Sequence, residues 1–256
     1  MLRLSIITIH LNDHAGLDRT MQSVKPFLTD ERIEWILVDG GSICSTSDER
    51  RLLEYAFSKA SSFVHEADNG IYDAMNKGTG MSHGEYVLYL NAGDLLHEEF
   101  NLDILFQEVN DSSPAMIWGS CIERYLDGQE IEIKARAPSL SWYGIPAYHP
   151  AIFFKRALLG NSPYDTSFKI AADYDLICKL VRSGGEIHRT ALRIAIFFRG
   201  GLSDTSKSLL RKEEHTIRMQ RYNLSRSFSM IIMTVKTGLS NVSNVIWLRR
   251  LLRRLW

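Results

Sequence analysis

Leu4-Ser-Ile-Ile-Thr-Ile9 and Ile33-Glu-Trp-Ile-Leu-Val38, the latter running straight into Asp39-Gly40-Gly41-Ser42, decide the fold. Each is a nearly unbroken apolar, β-branched run of strand length, the pattern of a strand covered on both faces. Between them Ala15–Val24 has helical spacing and stops near Pro26. Beyond them the alternation continues with a helix over 48–60, a strand Ser62–His65, a helix Ile71–Met81 and a strand Tyr86–Leu90. Strand and helix alternating at this spacing imply parallel βαβ units with right-handed crossovers. Ligands of such sheets bind beyond the carboxyl ends of the strands. Here those ends carry His10, Asn12, Asp39 and Asp94.

The second half is less regular. Ala115–Glu123 and Gln129–Lys134 read as a hairpin joined by Leu126-Asp127-Gly128. Four of the six prolines fall within 138–163, which is read as loop. Ala172–Arg182 is a helix ended by Gly184-Gly185, Ile187–Phe198 a strand, and the chain from Lys207 onward is helical. No stretch rich in Pro, Gly or Ser separates domains, so 256 residues give one α/β domain over 1–204 with a helical extension over 205–256.

Apolar residues make up 45% and charged ones 23%, a globular rather than disordered composition. Thirty basic residues balance thirty acidic ones, which argues against a nucleic-acid binder with a dominant basic field. The balance is uneven, because residues 205–256 hold eleven Lys/Arg and two acids, leaving an acidic body and a basic tail. Cys44, Cys121 and Cys178 are too scattered for a disulfide framework or a zinc motif, and fit reduced thiols in the cytosol. The N-terminus reads as a strand and not a signal peptide, and the most apolar stretch, Met230–Leu248, is too interrupted to span a membrane.

Several motifs have both a structural and a chemical reading. Gly78-Thr-Gly80-Met-Ser-His-Gly84 lacks the strand-to-helix context of a dinucleotide loop and is read as a helix stop. Asp39-Gly-Gly-Ser42 is either a capped turn or a carboxylate facing a base or ribose beside glycines that admit a ligand. Asn91-Ala-Gly-Asp94 is either a cap or oxygen ligands for a hard cation held against a diphosphate. Ala172-Asp-Tyr-Asp175 opens a helix with two acids, which either favour its dipole or aim a general base into a cleft. The eight histidines show no metal spacing; His10 and His149 are the two placed near a site.

Together these blocks, with Asp68-Asn-Gly-Ile-Tyr-Asp-Ala-Met-Asn76-Lys77-Gly78, His149-Pro150 and Gly200-Gly201-Leu-Ser203, resemble family 2 glycosyltransferases over residues 4–204. The likeness is greatest to the bacterial branch that builds colanic acid, capsule and O-antigen chains. The resemblance implies a GT-A fold, with a mostly parallel sheet flanked by helices, a nucleotide-sugar donor, a divalent cation (Mn or Mg) and inversion at the anomeric carbon. On that resemblance Thr8 and His10 line the nucleoside pocket, Asp39 contacts the base and Asp68 the nucleoside or ribose, with Asn76 and Lys77 in the same donor-binding block. Asp94 and Asn91 stand in the metal block, Asp173 matches the catalytic base, and His149 and Asp175 lie toward the acceptor. Asn91 and Gly93 replace acids usual in the metal block, leaving Asp94 its only acid.

The 138–163 segment is assigned to the acceptor, which the resemblance makes a saccharide, probable lipid linkage included, in surface polysaccharide assembly. Leu248, Leu251, Leu252 and Leu255 recur at helical spacing with Arg249, Arg250, Arg253 and Arg254 on the other face. Such a helix suits an anionic membrane surface better than it suits packing on the domain with a solvated Arg face. The expected location is the cytoplasmic face of the inner membrane. A nucleotidyltransferase is disfavoured by the lack of a basic Gly-rich loop near the N-terminus. A non-catalytic polysaccharide-assembly or membrane-tethering module stays open beside the enzyme.

Overall fold

Strand β1 (Leu4–His10) is buried along its whole length, because a strand pairs with each edge and helices cover both faces. The structure, a computed structural model, describes residues 2–109, 112–125, 127–200 and 206–242. Parallel β2 (Ile33–Asp39) and β4 (Tyr86–Tyr89) flank β1, and β3 (Ser62–His65) extends the sheet beyond β2. The register sets His10 beside Asp39, so the carboxyl ends finish level.

Helices α1 (His14–Val24), α2 (Ser47–Lys59) and α3 (Ile71–Met81) make the crossovers. Period-two side-chain alternation divides the apolar residues between two cores. Leu4, Ile6, Trp35 and Leu37 pack with Leu17, Met21 and Leu53 of α1 and α2. Ile7, Ile9, Ile36 and Val38 pack with Tyr72, Ala74 and Met75 of α3. A Cβ at Gly78 would stand 2.4 Å from Ile7 Cγ2, so a glycine there lets α3 close on the sheet. The helix runs through Gly78 and Gly80 and stops at Ser82.

The second half adds β5 (Leu95–Leu96), α4 (Leu102–Glu108), β6 (Met116–Arg124), β7 (Glu130–Ile133), β8 (Ile152–Lys155), α5 (Ala172–Arg182) and β9 (Ile187–Phe198). The sheet runs β3-β2-β1-β4-β8-β6-β9-β5, with β7 paired to β6 as the expected hairpin. The 138–163 segment is not all loop. Within it β8 lies antiparallel between β4 and β6, in the middle of the sheet. Its four residues, hemmed by Pro150 and Arg156, are too short for periodicity to reveal. Parallel pairing thus characterises the N-terminal half, and antiparallel β5, β7 and β8 make the second half mixed.

Helices α6 (Lys207–Tyr222) and α7 (Arg226–Val242) pack on the body. Ile217 is fully buried in the α3-side core, where truncation to Ala would cost about 2–5 kcal/mol. The Tyr222 hydroxyl is 2.6 Å from Ser141 Oγ, and the Phe228 ring stacks on Trp142 at 6.0 Å. Lys236 Nζ donates to both Glu214 oxygens at 2.7 Å. The amphipathic stretch 248–256, the turn residue Leu126 and Gly201-Leu202-Ser203 lie outside the described residues. Among the described residues no helix is long and apolar enough to cross a membrane.

Candidate active site

The chain turns sharply after β4. Leu90 N–H donates to Ile7 O at 2.9 Å and Ala92 N–H to Ile9 O at 3.0 Å, pinning the turn onto β1. Gly93 sits at φ +99°, where a side chain would be strained. Thr20 of α1, fully buried, accepts from Gly93 N–H at 2.9 Å and stands 2.7 Å from Asp94 O. Asp94 is thereby held nearly buried, 8% exposed, and no side chain among the described residues bonds its carboxyl group. Burial, only partly offset by a backbone hydrogen bond from the Asn91 side of the turn, pushes that carboxyl up to about 8. Asn91 Oδ1 is a buried oxygen without a partner among the described residues.

Asp94 and Asn91 line a cleft of about 530 Å³, whose other walls include Asp173, His149, Arg19 and Arg199. Asp173 lies in the first turn of α5. Burial pushes its carboxyl up to about 6, against the hydrogen bond it accepts from Tyr174 N–H at 2.8 Å. The Tyr72 hydroxyl gives its proton to Ile170 O at 2.5 Å and stands 3.4 Å from Asp173 Oδ1, leaving that carboxyl available to a ligand. His149 stacks on Tyr89 at 5.2 Å, and its Nε2 is 2.9 Å from the Tyr164 hydroxyl. Burial pushes its imidazole down to about 4, so it is neutral near pH 7.

The expected nucleoside residues lie apart from this cleft's lining. Thr8 is fully buried, its Oγ1 accepting from Trp35 Nε1–H at 2.9 Å. His10 Nδ1 donates to Asp39 Oδ1 at 2.8 Å, and its Nε2 has no partner among the described residues. Asp39 also accepts from Ser42 Oγ and His65 Nδ1, and from Ser42 N–H at 3.1 Å. Burial would raise its carboxyl, but the hydrogen bonds from His10, Ser42 and His65 outweigh it and hold the group well below the usual range. Asp68, partly exposed, accepts from Gly70 N–H at 2.9 Å, and a Cβ at Gly40 would strike its carboxylate.

Three candidates have their side chains engaged elsewhere. Asn76 donates to Tyr164 O at 3.0 Å and accepts from Tyr164 N–H at 2.9 Å, clamping α3 to the loop. Lys77 donates to Ala67 O at 2.9 Å and pairs with Glu66 at 2.9 Å. Asp175 points away from the cleft: it is buried against α6, bonded by Arg221 at 2.6 and 3.0 Å and by Lys179 at 3.1 Å. Placement toward the acceptor therefore gives way, for Asp175, to an ion pair between helices.

Arg19, Arg199, Thr20 and Tyr72 were not singled out in the sequence. Arg199 lies at the end of β9, 3.1 Å from wholly buried Glu123, which also accepts from the Tyr125 and Tyr148 hydroxyls at 2.8 Å. Its position directly before Gly200 was the one available signal. Arg19 and Thr20 carried none, since α1 looks like any amphipathic crossover.

No group of three or more His, Cys, Asp or Glu able to hold a metal is present among the described residues. Asn91 Oδ1 and the Asp94 carboxyl nonetheless fit a hard cation. Asn91 Oδ1 is without a partner among the described residues, the Asp94 carboxyl meets no side-chain donor there, and both line the cleft from one turn; substrate phosphates and water commonly complete such shells.

A parallel N-terminal half with an acidic turn after its last strand, sharing a cleft with a helix-borne carboxyl, is the layout of a GT-A glycosyltransferase. The model of Glycosyl transferase family 2 matches residues 5–174, and the chain belongs to that family. A PGL/p-HBAD biosynthesis glycosyltransferase of Mycobacterium bovis is 26% identical over 215 residues, covering 78% of this chain and 79% of the relative. An uncharacterized glycosyltransferase of Mycobacterium tuberculosis is 29% identical over 185 residues, covering 69% and 68%. The mannosyltransferase PcManGT from Pyrobaculum calidifontis, solved with GDP-Man and Mn2+, superposes with a TM-score of 0.63 at 15% identity, covering 98% of this chain and 78% of its own. TarS of S. aureus in complex with UDP-GlcNAc gives 0.60 at 14% identity, covering 91% and 70%. At such identities the two structures speak for the fold alone.

Proposed function

We propose that this glycosyltransferase moves a sugar from a nucleotide-sugar donor to a saccharide acceptor with inversion at the anomeric carbon. The observation that carries this is one cleft lined by the buried Asp94 carboxyl, by Asn91 with its unpartnered Oδ1 among the described residues, and by Asp173. Relatives of the same fold solved with UDP-GlcNAc or with GDP-Man and Mn2+ support a nucleotide-sugar donor.

In this reading the acceptor hydroxyl attacks the anomeric carbon as the bond to the donor diphosphate breaks, and Asp173 takes the hydroxyl proton. General base catalysis of this kind contributes about 10²–10⁴-fold. A divalent cation, when bound, neutralises charge on the departing diphosphate, with Asp94 and Asn91 holding it. Arg19 and Arg199 add positive charge on the same cleft. The nucleoside extends toward Asp68, with His10, Asp39 and Thr8 as the framework beneath. Because Asp173 must be ionised to accept a proton, turnover falls as the pH drops through about 6.

The acceptor is proposed to be lipid-linked, in surface polysaccharide assembly, with the chain peripheral on an anionic cytoplasmic membrane face. The basic tail, with its surplus of nine positive charges over 205–256, supports this. Sedimentation with anionic vesicles that weakens at high salt, and is lost on deleting 248–256, is the expected result. No sedimentation at low salt sinks the membrane reading.

The donor reading is tested by thermal shift against UDP- and GDP-sugars with and without Mn2+ or Mg2+, followed by release of the nucleoside diphosphate. A donor-specific rise in melting temperature is expected. If no nucleotide sugar stabilises the chain with either metal, the reading fails.

A further inference from the structure

Helix α5 begins without a cap of its own. Its N-cap residue is Ala171, which has no side-chain oxygen to receive the free N–H groups of the first turn. An acceptor for the N-cap N–H, and for the two N–H groups before it, comes from α6. Glu213 Oε1 accepts from Lys169 N–H at 2.7 Å, and Oε2 accepts from Ile170 and Ala171 N–H at 2.9 Å each. Glu213 is itself 8% exposed and anchored, since Ile217 one turn on is in the core and Arg221 two turns on grips Asp175 of α5. One carboxyl group thus ties down the three residues leading to Ala172 and Asp173.

We propose that Glu213 is a positioning residue for the catalytic base: it fixes the turn that presents Asp173 to the cleft and sets a negative charge against the positive end of α5 beneath it. The inference rests on reading Asp173 as the base. A helix N-terminus stabilises a nearby anion, which would make Asp173 a weaker proton acceptor. The negative charge that Glu213 sets on the N–H groups at and just before the N-cap opposes that effect and lets burial govern the group. The titratable and charged neighbours of Asp173 are Tyr72 from α3, Tyr164 and Lys169 from the preceding loop, and Glu214 from α6, with Glu213 of α6 on the backbone just before it. Asp13, Arg19, Asp94, His149 and Arg199 share the cleft. Among these, Glu213 is the carboxyl group bonded to the N–H groups of the backbone that leads to the base, while the Tyr72 hydroxyl donates to the Ile170 carbonyl.

The test needs no donor or acceptor. Aspartate labelled at its carboxyl carbon is titrated by NMR in the full chain, and the Asp173 signal is assigned by its loss in Asp173→Asn. The expected midpoint is about 6 in the wild type. It should fall by about one pH unit in Glu213→Gln and stay near the wild-type value in Glu213→Asp, which keeps the charge. An unmoved midpoint in Glu213→Gln, or one moved as far in Glu213→Asp, overturns the proposal. Should Glu213→Gln not fold, amide exchange of the wild type decides: Lys169, Ile170 and Ala171 N–H are expected to be protected, and exchange at free-loop rates overturns the clamp. The two readings fail separately. A dead Asp173→Asn enzyme with an unmoved midpoint in Glu213→Gln removes the positioning role alone, whereas an active Asp173→Asn enzyme removes the base itself.

Discussion

Asp39 and Asp94 stand at the carboxyl ends of the strands on either side of β1, and they are opposites. Asp39 is wholly buried and saturated, with His10, Ser42 and His65 donating to it, so it remains ionised far into acid. Asp94 is almost as buried and has no such partner, so its carboxyl is pushed up to about 8. Burial by itself therefore does not mark the site. A buried carboxyl that lines the cleft without side-chain donors does, because its desolvation is offset only when a ligand arrives. The same contrast recurs on α5, where Asp173 lines the cleft and Asp175, two residues on, is locked by Arg221 and Lys179.

The α5 pair gives the largest expected effect. Asp173→Asn is expected to bind donor normally and to lose about 10²–10⁴-fold in transfer rate. Asp175→Asn is expected to keep its turnover per folded molecule while losing stability by about 2 kcal/mol, as Arg221 and Lys179 lose their partner. Initial rates and melting curves on both variants check this, and a dead Asp175→Asn with an active Asp173→Asn reverses the assignment.

The strand-end pair should differ in stability and in its pH dependence. Asp39→Asn is expected to destabilise by about 3 kcal/mol at neutral pH, leaving buried donors without their acceptor. The stability that Asp39 supplies is present above pH ~4 and lost as the pH falls through its lowered native value. Asp94 has the opposite sign. Its native carboxyl keeps a proton to about pH 8 while the unfolded chain releases it near pH ~4, so stability falls as pH rises between those values. Asp94→Asn is accordingly expected to be more stable than wild type by about 2–4 kcal/mol at pH ~8 and level with it near pH ~4. Denaturant titrations at the two pH values suffice, and a destabilised Asp94→Asn at the higher pH breaks the comparison.

Cation binding should separate the two acids further. Millimolar Mn2+ is expected to stabilise the wild type by about 1–2 kcal/mol, more at pH ~8 than at pH ~5, because binding displaces the Asp94 proton. The increment should vanish in Asp94→Ala and persist in Asp39→Asn. The mildest effect expected is from Thr20→Val, which removes the hydroxyl holding Gly93 and Asp94 at a cost of about 1 kcal/mol. Donor affinity, read by titration, should weaken a few-fold. An unchanged affinity would mean that the turn holds its shape without Thr20.

Much of the fold was legible locally. β1 and β2 announced themselves as β-branched runs with Asp-Gly-Gly-Ser after the second, and the helix over 71–81 was read with its observed ends. β8 and two-residue β5 were not legible, since strands so short show no period and exist only because neighbours supply their hydrogen bonds. At the site, the Asn91–Asp94 turn and Asp173 were found at the ends of elements that the sequence already implied. The partners of the acids were not. His10 is 29 residues from Asp39, Arg221 is 46 from Asp175, and Glu213 reaches Ala171 across 42.

By itself, then, the sequence determined the alternation of strands and helices, the family, and which oxygen-bearing residues come to the strand ends. Those depend on hydrophobic periodicity and turn chemistry, which act over a few residues. Only the tertiary structure decided which of these carboxyls are saturated and which are open, and that α6 completes the base-bearing turn. The cause is that a carboxyl's protonation and availability depend on desolvation and on donors within about 3 Å. Those donors come from segments whose proximity is created by folding.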